Sequence, residues 1–319
     1  MKFGMVFPGY GSQFVGMGKE LYDNQRLVQE YFEEAATCLS INFVKLCFAS
    51  SEAELAKPCH AYTSLFLMSA ACAGLLKEKN ITPEVVAGID VTSWYSSLFA
   101  AGSISLPDGL YMLNKLGTVY EEIIPKDAFS GILVKNSTKQ KVEQFCKKAS
   151  TAEHGVTIAA IVPEGFVVVG HTSAMKKFEA AISAADDITY EAVDIGGGLY
   201  MSGAEEVALQ VNSYLEKIDF KTPVVPIISP LDGKLIKKSE DLKHISSIIF
   251  VQQLDQLATL KKISIYDRVV CALPSAKIRP QVASVISEER IVTMESNIEF
   301  EALAALYPQE KSNEEPENV

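Results

Sequence analysis

The 319-residue chain lacks an excess of positive charge. It has 29 lysine and arginine residues against 40 aspartate and glutamate residues, which gives a formal net charge of −11. A protein that binds nucleic acid needs clustered lysine and arginine side chains to contact the phosphates. The charge balance therefore argues against a nucleic-acid-binding protein.

The chain also lacks an apolar run that would span a bilayer. Its longest apolar stretch, Ala61 to Leu76, is interrupted by serine, threonine and tyrosine, whereas a spanning helix needs about 20 apolar residues. We expect no membrane partner, and we predict a buried helix over Tyr62 to Lys77. No signal peptide is expected, because Pro8-Gly9 ends the first apolar segment too early.

The six cysteines lack the spacing of a metal or redox site. None belongs to a Cys-x-x-Cys pair, and Cys59-His60 has no second ligand pair to accompany it. Scattered cysteines without a secretion signal indicate reduced thiols and a cytoplasmic protein. No metal ion and no redox cofactor is implied.

The most informative stretch is residues 86–102, where an apolar segment runs into Gly88 and a helical pattern follows. A short strand, a sharp turn and a helix form a nucleophile elbow, which usually has the sequence Gly-x-Ser-x-Gly. Here the tip is Asp90, and Thr92 stands where the second glycine would be. The pattern therefore predicts the architecture of an acyl-transfer site without its serine.

The pattern changes near Pro125. Residues 125–195 give strand and helix signals in the order β-α-β-β-α-β, which is the ferredoxin-like arrangement. We interpret this segment as a small domain inserted into a large domain formed by residues 1–124 and 196–308. The polar, acidic tail over residues 309–319 is predicted to be disordered.

Three elements of the large domain are predicted from local signals. Pro107 and Asp108 are expected to begin a helix, since proline is common in the first turn. Val224 to Ile228 is apolar and is predicted to be a buried strand. Ile245 to Leu260 is predicted to be one helix. The fold class expected from these elements is α/β.

Several segments along the chain occur in an order that is typical of one family. They are residues 7–13 (F-P-G-Y-G-S-Q), 88–95 with 100–106, 158–160 with 167–170, 220–229, and 253–254. In this order they resemble the motifs of malonyl-CoA:acyl carrier protein transacylases and of the acyltransferase domains of polyketide synthases, beginning with F-P-G-Q-G-S-Q and G-H-S-L-G-E-Y. The resemblance covers residues 1–300. It implies an α/β-hydrolase-like large domain with an inserted ferredoxin-like small domain.

The resemblance also implies that the catalytic positions have changed. The family's nucleophilic serine falls on Asp90, and the histidine before that serine falls on Ile89. The general-base histidine falls on Tyr200. This chain is therefore identified as a degenerate member that lacks the catalytic serine and histidine.

The binding positions implied by the resemblance have changed as well. The arginine that holds the malonyl carboxylate in the family falls on Leu116, and a glutamine of the family falls on Tyr62. The retained or replaced binding positions are Tyr10, Gly11, Gln13, Tyr62, Ile89, Val91, Leu116 and Gln253. Tyr10 replaces the first-loop glutamine whose neighbourhood supplies an oxyanion N–H. Gln253 retains the glutamine of the late helix.

These changes leave three hypotheses for the function. Acyl transfer needs an activated nucleophile, a base within reach and an oxyanion hole, and the first two are missing from their family positions. The first hypothesis is a pseudo-enzyme that binds an acyl carrier protein, a CoA thioester or a synthase component. The second is an active transacylase with a rearranged site that recruits another serine, of which the candidates are Ser12, Ser93, Ser96 and Ser97. The third is a hydrolase that uses Asp90 as its nucleophile.

Two further expectations concern charge. We expect the Asp90 carboxylate to lie at the helix N-terminus, held by N–H groups that would otherwise stabilise an oxyanion; the alternative is an exposed aspartate without consequence. Five lysines between Lys135 and Lys148 form either a docking face for an acidic carrier protein or an ordinary solvated helix face.

Overall fold

A computed structural model describes residues 2–125, 128–185, 187–195 and 205–307. Its strands in chain order are β1 (Phe3–Phe7), β2 (Val85–Gly88), β3 (Phe129–Lys135), β4 (Val156–Val162), β5 (Gly165–His171), β6 (Thr189–Val193), β7 (Ile227–Ile228), β8 (Leu235–Ile236), β9 (Leu254–Asp255), β10 (Arg268–Cys271) and β11 (Ile291–Thr293).

The helices in chain order are α1 (Lys19–Asn24), α2 (Arg26–Leu39), α3 (Phe43–Ala49), α4 (Glu52–Leu55), α5 (Pro58–Glu78), α6 (Val91–Ala100), α7 (Leu106–Ile123), α8 (Lys139–Ala149), α9 (Thr172–Ser183), α10 (Glu205–Leu215), α11 (Ser239–Ile248), α12 (Gln256–Ile263), α13 (Ile278–Ala283) and α14 (Asn297–Ala305). A short 3₁₀ turn, Glu288–Arg290, precedes β11.

The larger sheet has the strand order β11-β10-β1-β2-β7-β8. Its strands are parallel except β8, which runs antiparallel to β7. Every residue of β1 and β2 is buried, as expected for parallel strands covered by helices on both faces. The parallel order brings the carboxyl ends of β1 and β2 side by side, with Phe7 opposite Gly88.

The smaller sheet has the strand order β6-β3-β5-β4-β9. Its first four strands are antiparallel and, with α8 and α9, form the β-α-β-β-α-β unit predicted from the sequence. The short β9 from the second half of the chain joins β4 in parallel. The predicted fold class, a large α/β part with a small ferredoxin-like part, is confirmed, whereas the limits 124, 195 and 308 stay a prediction.

Helix α5 is the predicted buried helix, and it is longer than its apolar core suggested. By length and composition it could cross a membrane, but 83% of its most apolar window is buried inside the structure. It packs against α6 and α7. Burial against protein on nearly all sides explains its apolar composition without a bilayer.

Two predicted elements of the large part were wrong. Ile245–Leu260 is not one helix, because α11 ends at Ile248 and the chain forms β9 before α12 begins at Gln256. The strand predicted from Val224 is reduced to Ile227–Ile228, and the side chain of Val224 is 81% exposed. In both places the apolar sequence favours a longer element than the one formed, because strand pairing, of β9 with β4 and of β7 with β2, determines where the element begins and ends. The tail over residues 309–319 lies outside the described residues.

Candidate functional site

The turn between β2 and α6 is built on a close approach of strand and helix. A Cβ atom at Gly88 would lie 2.4 Å from the backbone carbonyl of Ser93, so only glycine fits there. Asp90 follows as the N-cap residue of α6, with φ −147° and ψ −171°. This is ordinary extended backbone, in contrast to the strained turn that presents the serine of a nucleophile elbow. The strand-turn-helix architecture is confirmed, but Asp90 at its tip has unstrained backbone angles.

The carboxylate of Asp90 accepts three hydrogen bonds. Its Oδ2 atom accepts from the backbone N–H of Tyr10 at 2.7 Å, and its Oδ1 atom accepts from the backbone N–H of Ser93 at 2.8 Å. The hydroxyl of Ser93 donates to the same Oδ1 atom at 2.7 Å. Only 5% of Asp90 is exposed. The expectation that this carboxylate is held at the helix N-terminus is confirmed, and the alternative of an exposed aspartate is wrong.

Ser93 completes a reciprocal cap. Its hydroxyl oxygen accepts from the backbone N–H groups of Ile89 and Asp90, at 2.8 and 2.9 Å. The residue is fully buried. The Ser93 hydroxyl uses its donor and both acceptor positions within the protein and is buried away from a substrate. This argues against its recruitment as a nucleophile.

Burial has a direct electrostatic effect on Asp90. It raises the pKa of the carboxyl above its ordinary value, against the opposing effect of the hydrogen bonds from Ser93 and Tyr10. Desolvation disfavours the charged form, while N–H and O–H donors favour it. The folded chain therefore holds a proton on Asp90 more readily than the unfolded chain does.

The first loop is shaped around this carboxylate. A Cβ atom at Gly9 would lie 2.3 Å from Oδ2 of Asp90, so glycine is needed where the loop approaches the turn. The side-chain oxygen of Gln13 accepts from the backbone N–H of Gly11 at 2.8 Å. Gln13 thus holds the loop that delivers the N–H of Tyr10.

Large side chains occupy the positions that the resemblance assigned to polar groups. The rings of Tyr10 and Tyr62 meet edge to face with centroids 5.7 Å apart. Tyr62 is fully buried and Leu116 is 2% exposed. Burial raises the pKa of Tyr10 to about 12 and holds the pKa of Tyr62 well above its ordinary value, so both phenols are neutral. Neither they nor Leu116 can supply the positive charge that a malonyl carboxylate needs.

A cavity of about 210 Å³ remains beside Asp90, between the two parts of the molecule. Its charged lining residues are Asp90, Glu164, Asp194 and Lys277. Three carboxylates against one ammonium make this an acidic cavity. Ile89 also lines it, whereas Val91 points into the core.

The structure places a different glutamine in the cavity from the one expected. Gln253 lies outside the lining, where its amide donates to the carbonyl of Ile158 at 2.9 Å and accepts from Lys139 at 2.8 Å. Gln256 lines the cavity, and its side-chain oxygen is buried without a hydrogen-bond partner among the described residues. Because β9 ends at Asp255, Gln256 begins α12 and reaches the cavity. The only signal for this in the sequence is a second glutamine three residues after Gln253.

Among the residues that the structure describes, the remaining candidate nucleophiles and bases do not come together as a catalytic group. Ser96 and Ser97 are buried along α6, with their hydroxyls directed at the carbonyls of Thr92 and Ser93. Ser12 lines the cavity, but none of the chain's four histidines does so within the described residues. Tyr200, the predicted base position, lies outside the described residues.

The lysine-rich segment is largely neutralised by neighbouring acids. Three of its five lysines form ion pairs, which are Lys135 with Glu191, Lys139 with Glu143 and Lys141 with Asp187. The proposed basic docking face is thereby reduced to Lys147 and Lys148. In the described part of the chain, no group of three or more histidine, cysteine, aspartate or glutamate side chains could hold a metal ion.

Comparison with known proteins places this geometry in a sequence family. The acyl transferase domain model matches residues 5–290. The malonyl CoA-acyl carrier protein transacylase of Bacillus subtilis is 28% identical over 246 residues, which cover 76% of this chain and 77% of that protein. The transacylase of the same name from Staphylococcus aureus is 24% identical over 263 residues, covering 80% and 84%.

Solved structures show the same fold. A malonyl-transacylase in complex with its type II polyketide-synthase acyl-carrier protein superposes with a TM-score of 0.88 at 20% identity, covering 96% of this chain and all of that one. An acyl carrier protein S-malonyltransferase from Vibrio cholerae gives 0.88 at 18% identity, covering 95% of this chain and all of that one. These similarities confirm the two-part α/β architecture.

Proposed function

Because the chain belongs to the acyl transferase domain family, we propose that it is a non-catalytic member that binds an acyl carrier protein and its thioester arm without transferring the acyl group. The observation that carries the proposal is the carboxylate of Asp90 at the turn, held by the N–H groups of Tyr10 and Ser93. An oxyanion would need the same kind of donors. Asp90 fills the anion-binding position with the protein's own charge.

The cavity chemistry supports loss of malonyl binding as well as loss of transfer. A malonyl carboxylate entering the cavity would meet Asp90, Glu164 and Asp194, and among the described lining residues Lys277 alone would attract it. Like charges disfavour one another strongly where water is scarce. The proposal therefore favours a neutral acyl thioester or a bare thiol arm over malonyl.

The choice of partner follows from the relatives. Proteins with this fold are named for transfer between malonyl-CoA and an acyl carrier protein, and one of them was solved with its carrier protein. Binding of a carrier protein does not require a nucleophile, so it can be retained after the catalytic residues have been replaced. The six cysteines are all free thiols, in keeping with action in the cytoplasm beside such a synthase.

The experiment is a pair of titrations with fluorescently labelled holo carrier protein. We expect saturable binding, and we expect Lys277→Glu to weaken it several-fold, because Lys277 is an exposed cation at the cavity and carrier proteins are acidic. Lys261→Glu changes an exposed lysine on α12 and should leave the affinity unchanged. Absence of binding, or equal effects of both variants, would refute this binding mode.

A transfer assay on the same samples separates the alternatives. We expect no transfer of malonyl or acetyl groups above the uncatalysed rate. Transfer at a rate close to that of the Bacillus subtilis relative would instead establish a rearranged active transacylase. Release of free acid without transfer would establish the hydrolase.

A further inference from the structure

A second cavity lies at the other end of helix α6 from Asp90. It has a volume of about 390 Å³ and is lined by Phe99, Ala100 and Gly102 at the carboxyl end of that helix. It is larger than the cavity of about 210 Å³ beside Asp90. Its volume falls within the range of about 300–1,000 Å³ that is usual for small-molecule sites.

The interior of this second cavity is apolar. Its apolar lining residues come from β1, α5, α6 and the segments that lead into β2, α7 and β7, and they are Met5, Ala73, Gly74, Leu76, Ile81, Pro83, Phe99, Ala100, Gly102, Ile104, Val224 and Val225. Phe99 is braced by edge-to-face contacts with Phe66 and Tyr31, at centroid distances of 6.0 and 6.1 Å. An alkyl chain placed here would lose its contact with water on most sides.

Among the residues that the structure describes, the lining of this cavity carries a single charge, and that charge is positive. Lys77, in the last turn of α5, is exposed and lines the cavity. Its ammonium group has no ion pair or hydrogen bond among the residues the structure describes. No acidic residue of the described part of the chain lines this cavity, although acidic residues outnumber basic ones in the sequence. The lining thus combines an apolar body with one free cation.

A neutral hydroxyl donor accompanies this cation. The hydroxyl of Tyr31 lies over Gly74, where a Cβ atom would be only 2.7 Å from it. Burial raises the pKa of Tyr31, and the exposed carboxylates of Glu34 and Glu78 add to the effect. The phenol therefore stays protonated and can donate to a carboxylate, whereas Glu34 and Glu78, which lie outside the lining, would repel that carboxylate and lower its affinity.

We propose that this cavity binds an amphiphilic monocarboxylate, such as a medium-chain fatty acid, with its alkyl chain against Met5, Phe99 and Ile104 and its carboxylate near Lys77 and Tyr31. The apolar lining excludes a dicarboxylate such as malonate, because the second charge would be buried without a partner. A neutral alkane or alcohol would leave the ammonium group without its complement. The proposal is independent of Asp90 and of carrier binding.

The first experiment is calorimetric titration with linear carboxylates from hexanoate to dodecanoate, below the concentrations at which they form micelles. We expect saturable binding at one site, with affinity rising about fourfold per added methylene until the cavity is full. The matched primary alcohols should bind about tenfold more weakly, since they lose the charged contact. Malonate should not bind.

Variants locate the site. Lys77→Met should lower the affinity for decanoate about tenfold and leave the affinity for decanol unchanged. Lys45→Met, at an exposed lysine of α3 that lines no part of this cavity, should change neither. Ala100→Phe should abolish binding of both ligands by filling the cavity, and Ala73→Leu provides a smaller filling change if that variant does not fold.

The proposal is overturned if no carboxylate in the series binds saturably. It is also overturned if Lys77→Met and Lys45→Met have equal effects on decanoate, since the anion would then be attracted by surface charge alone. Undiminished binding to a folded Ala100→Phe or Ala73→Leu protein would place the ligand elsewhere.

Discussion

The two ends of helix α6 have opposite chemistry. At the amino end, the Asp90 carboxylate accepts hydrogen bonds from Tyr10 and Ser93, and the neighbouring cavity is acidic. At the carboxyl end, a larger cavity is apolar and carries one ammonium group, that of Lys77. One end of the helix is thus closed by the protein's own anion, and the other is open to an apolar ligand with an anionic head.

At the amino end of α6, the residues that the fold of the turn requires can be distinguished from those that catalysis would require. The glycines that let strand, loop and helix meet at the amino end, Gly9 and Gly88, are packed against Asp90 and Ser93. They are required by the fold of the turn, whether or not a nucleophile sits on it. The strand-turn-helix architecture is therefore compatible with a structural carboxylate at the position of Asp90.

The largest expected effect concerns an attempt to restore the nucleophile. We expect Asp90→Ser to remain about a million-fold slower in malonyl transfer than the Bacillus subtilis relative, because loss of the base alone costs that much in a hydrolytic triad. Steady-state transfer to holo carrier protein measures it. Recovery to within a thousand-fold of the relative would show that a base is already in place.

The next effect is on stability at the amino end. Asp90→Ala should lower the free energy of unfolding by about 2–4 kcal/mol, because it removes a helix cap and leaves the partly buried N–H of Tyr10 unpaired. Ser105→Ala removes the corresponding N-cap side chain at the exposed start of α7 and should cost only about 1 kcal/mol. Urea denaturation compares them; equal losses would mean that Asp90 is an ordinary cap.

Two glycines compare the ends of the helix directly. Gly88→Ala should cost about 3 kcal/mol, because the new methyl group would collide with the backbone of Ser93 and overpacking by a rigid neighbour is poorly relieved. Gly102→Ala, beside the open cavity, should cost about 1 kcal/mol. The φ of +72° at Gly102 disfavours a side chain, but the new Cβ atom would lie 3.4 Å from the nearest atom, Cγ2 of Val224. If urea denaturation showed a larger loss of unfolding free energy for Gly102→Ala than for Gly88→Ala, the expected difference between the two ends of α6 would be wrong.

The smallest expected effect is a pH dependence of the Asp90 contribution. Burial raises its folded pKa above the ordinary value of 3.8, so the folded chain binds more protons than the unfolded chain between the two values. The contribution is fully present below the unfolded pKa and is lost as the pH rises through the folded pKa. The gap in unfolding free energy between wild type and Asp90→Ala should therefore be wider near pH 4.5 than near pH 7.5. A gap that widens toward pH 7.5 would reverse the assigned shift.

Local signals were sufficient for the fold where each element follows its own pattern. The alternation of strands and helices predicted the ferredoxin-like part, and continuous apolarity predicted the buried helix α5. The pattern failed over Ile245–Leu260, because the pairing of β9 with β4 interrupts a run that is helical by composition alone. Pairing between strands that are far apart in the sequence produces no periodic pattern within either strand.

The site was predictable only in part for the same reason. The cap by Asp90 follows from its place before a helix, and so could be expected from sequence. The hydrogen bond from the Tyr10 N–H joins residues 80 positions apart, so no local pattern predicts it; only the family resemblance indicated an oxyanion N–H near Tyr10. Gln256 was missed because its place in the cavity depends on β9, and the cavity near Lys77 has no motif since its lining comes from segments scattered along the chain.

Intact-mass spectrometry after incubation with malonyl-CoA and, separately, with acetyl-CoA tests most directly whether this chain forms an acyl-enzyme. The Bacillus subtilis relative, treated in parallel, provides the reference for an acyl-enzyme. We expect the mass of this chain to stay unchanged, because the turn carries a buried carboxylate in place of a hydroxyl. A stoichiometric adduct on Asp90 or on a serine, mapped by peptide fragmentation, would contradict the account.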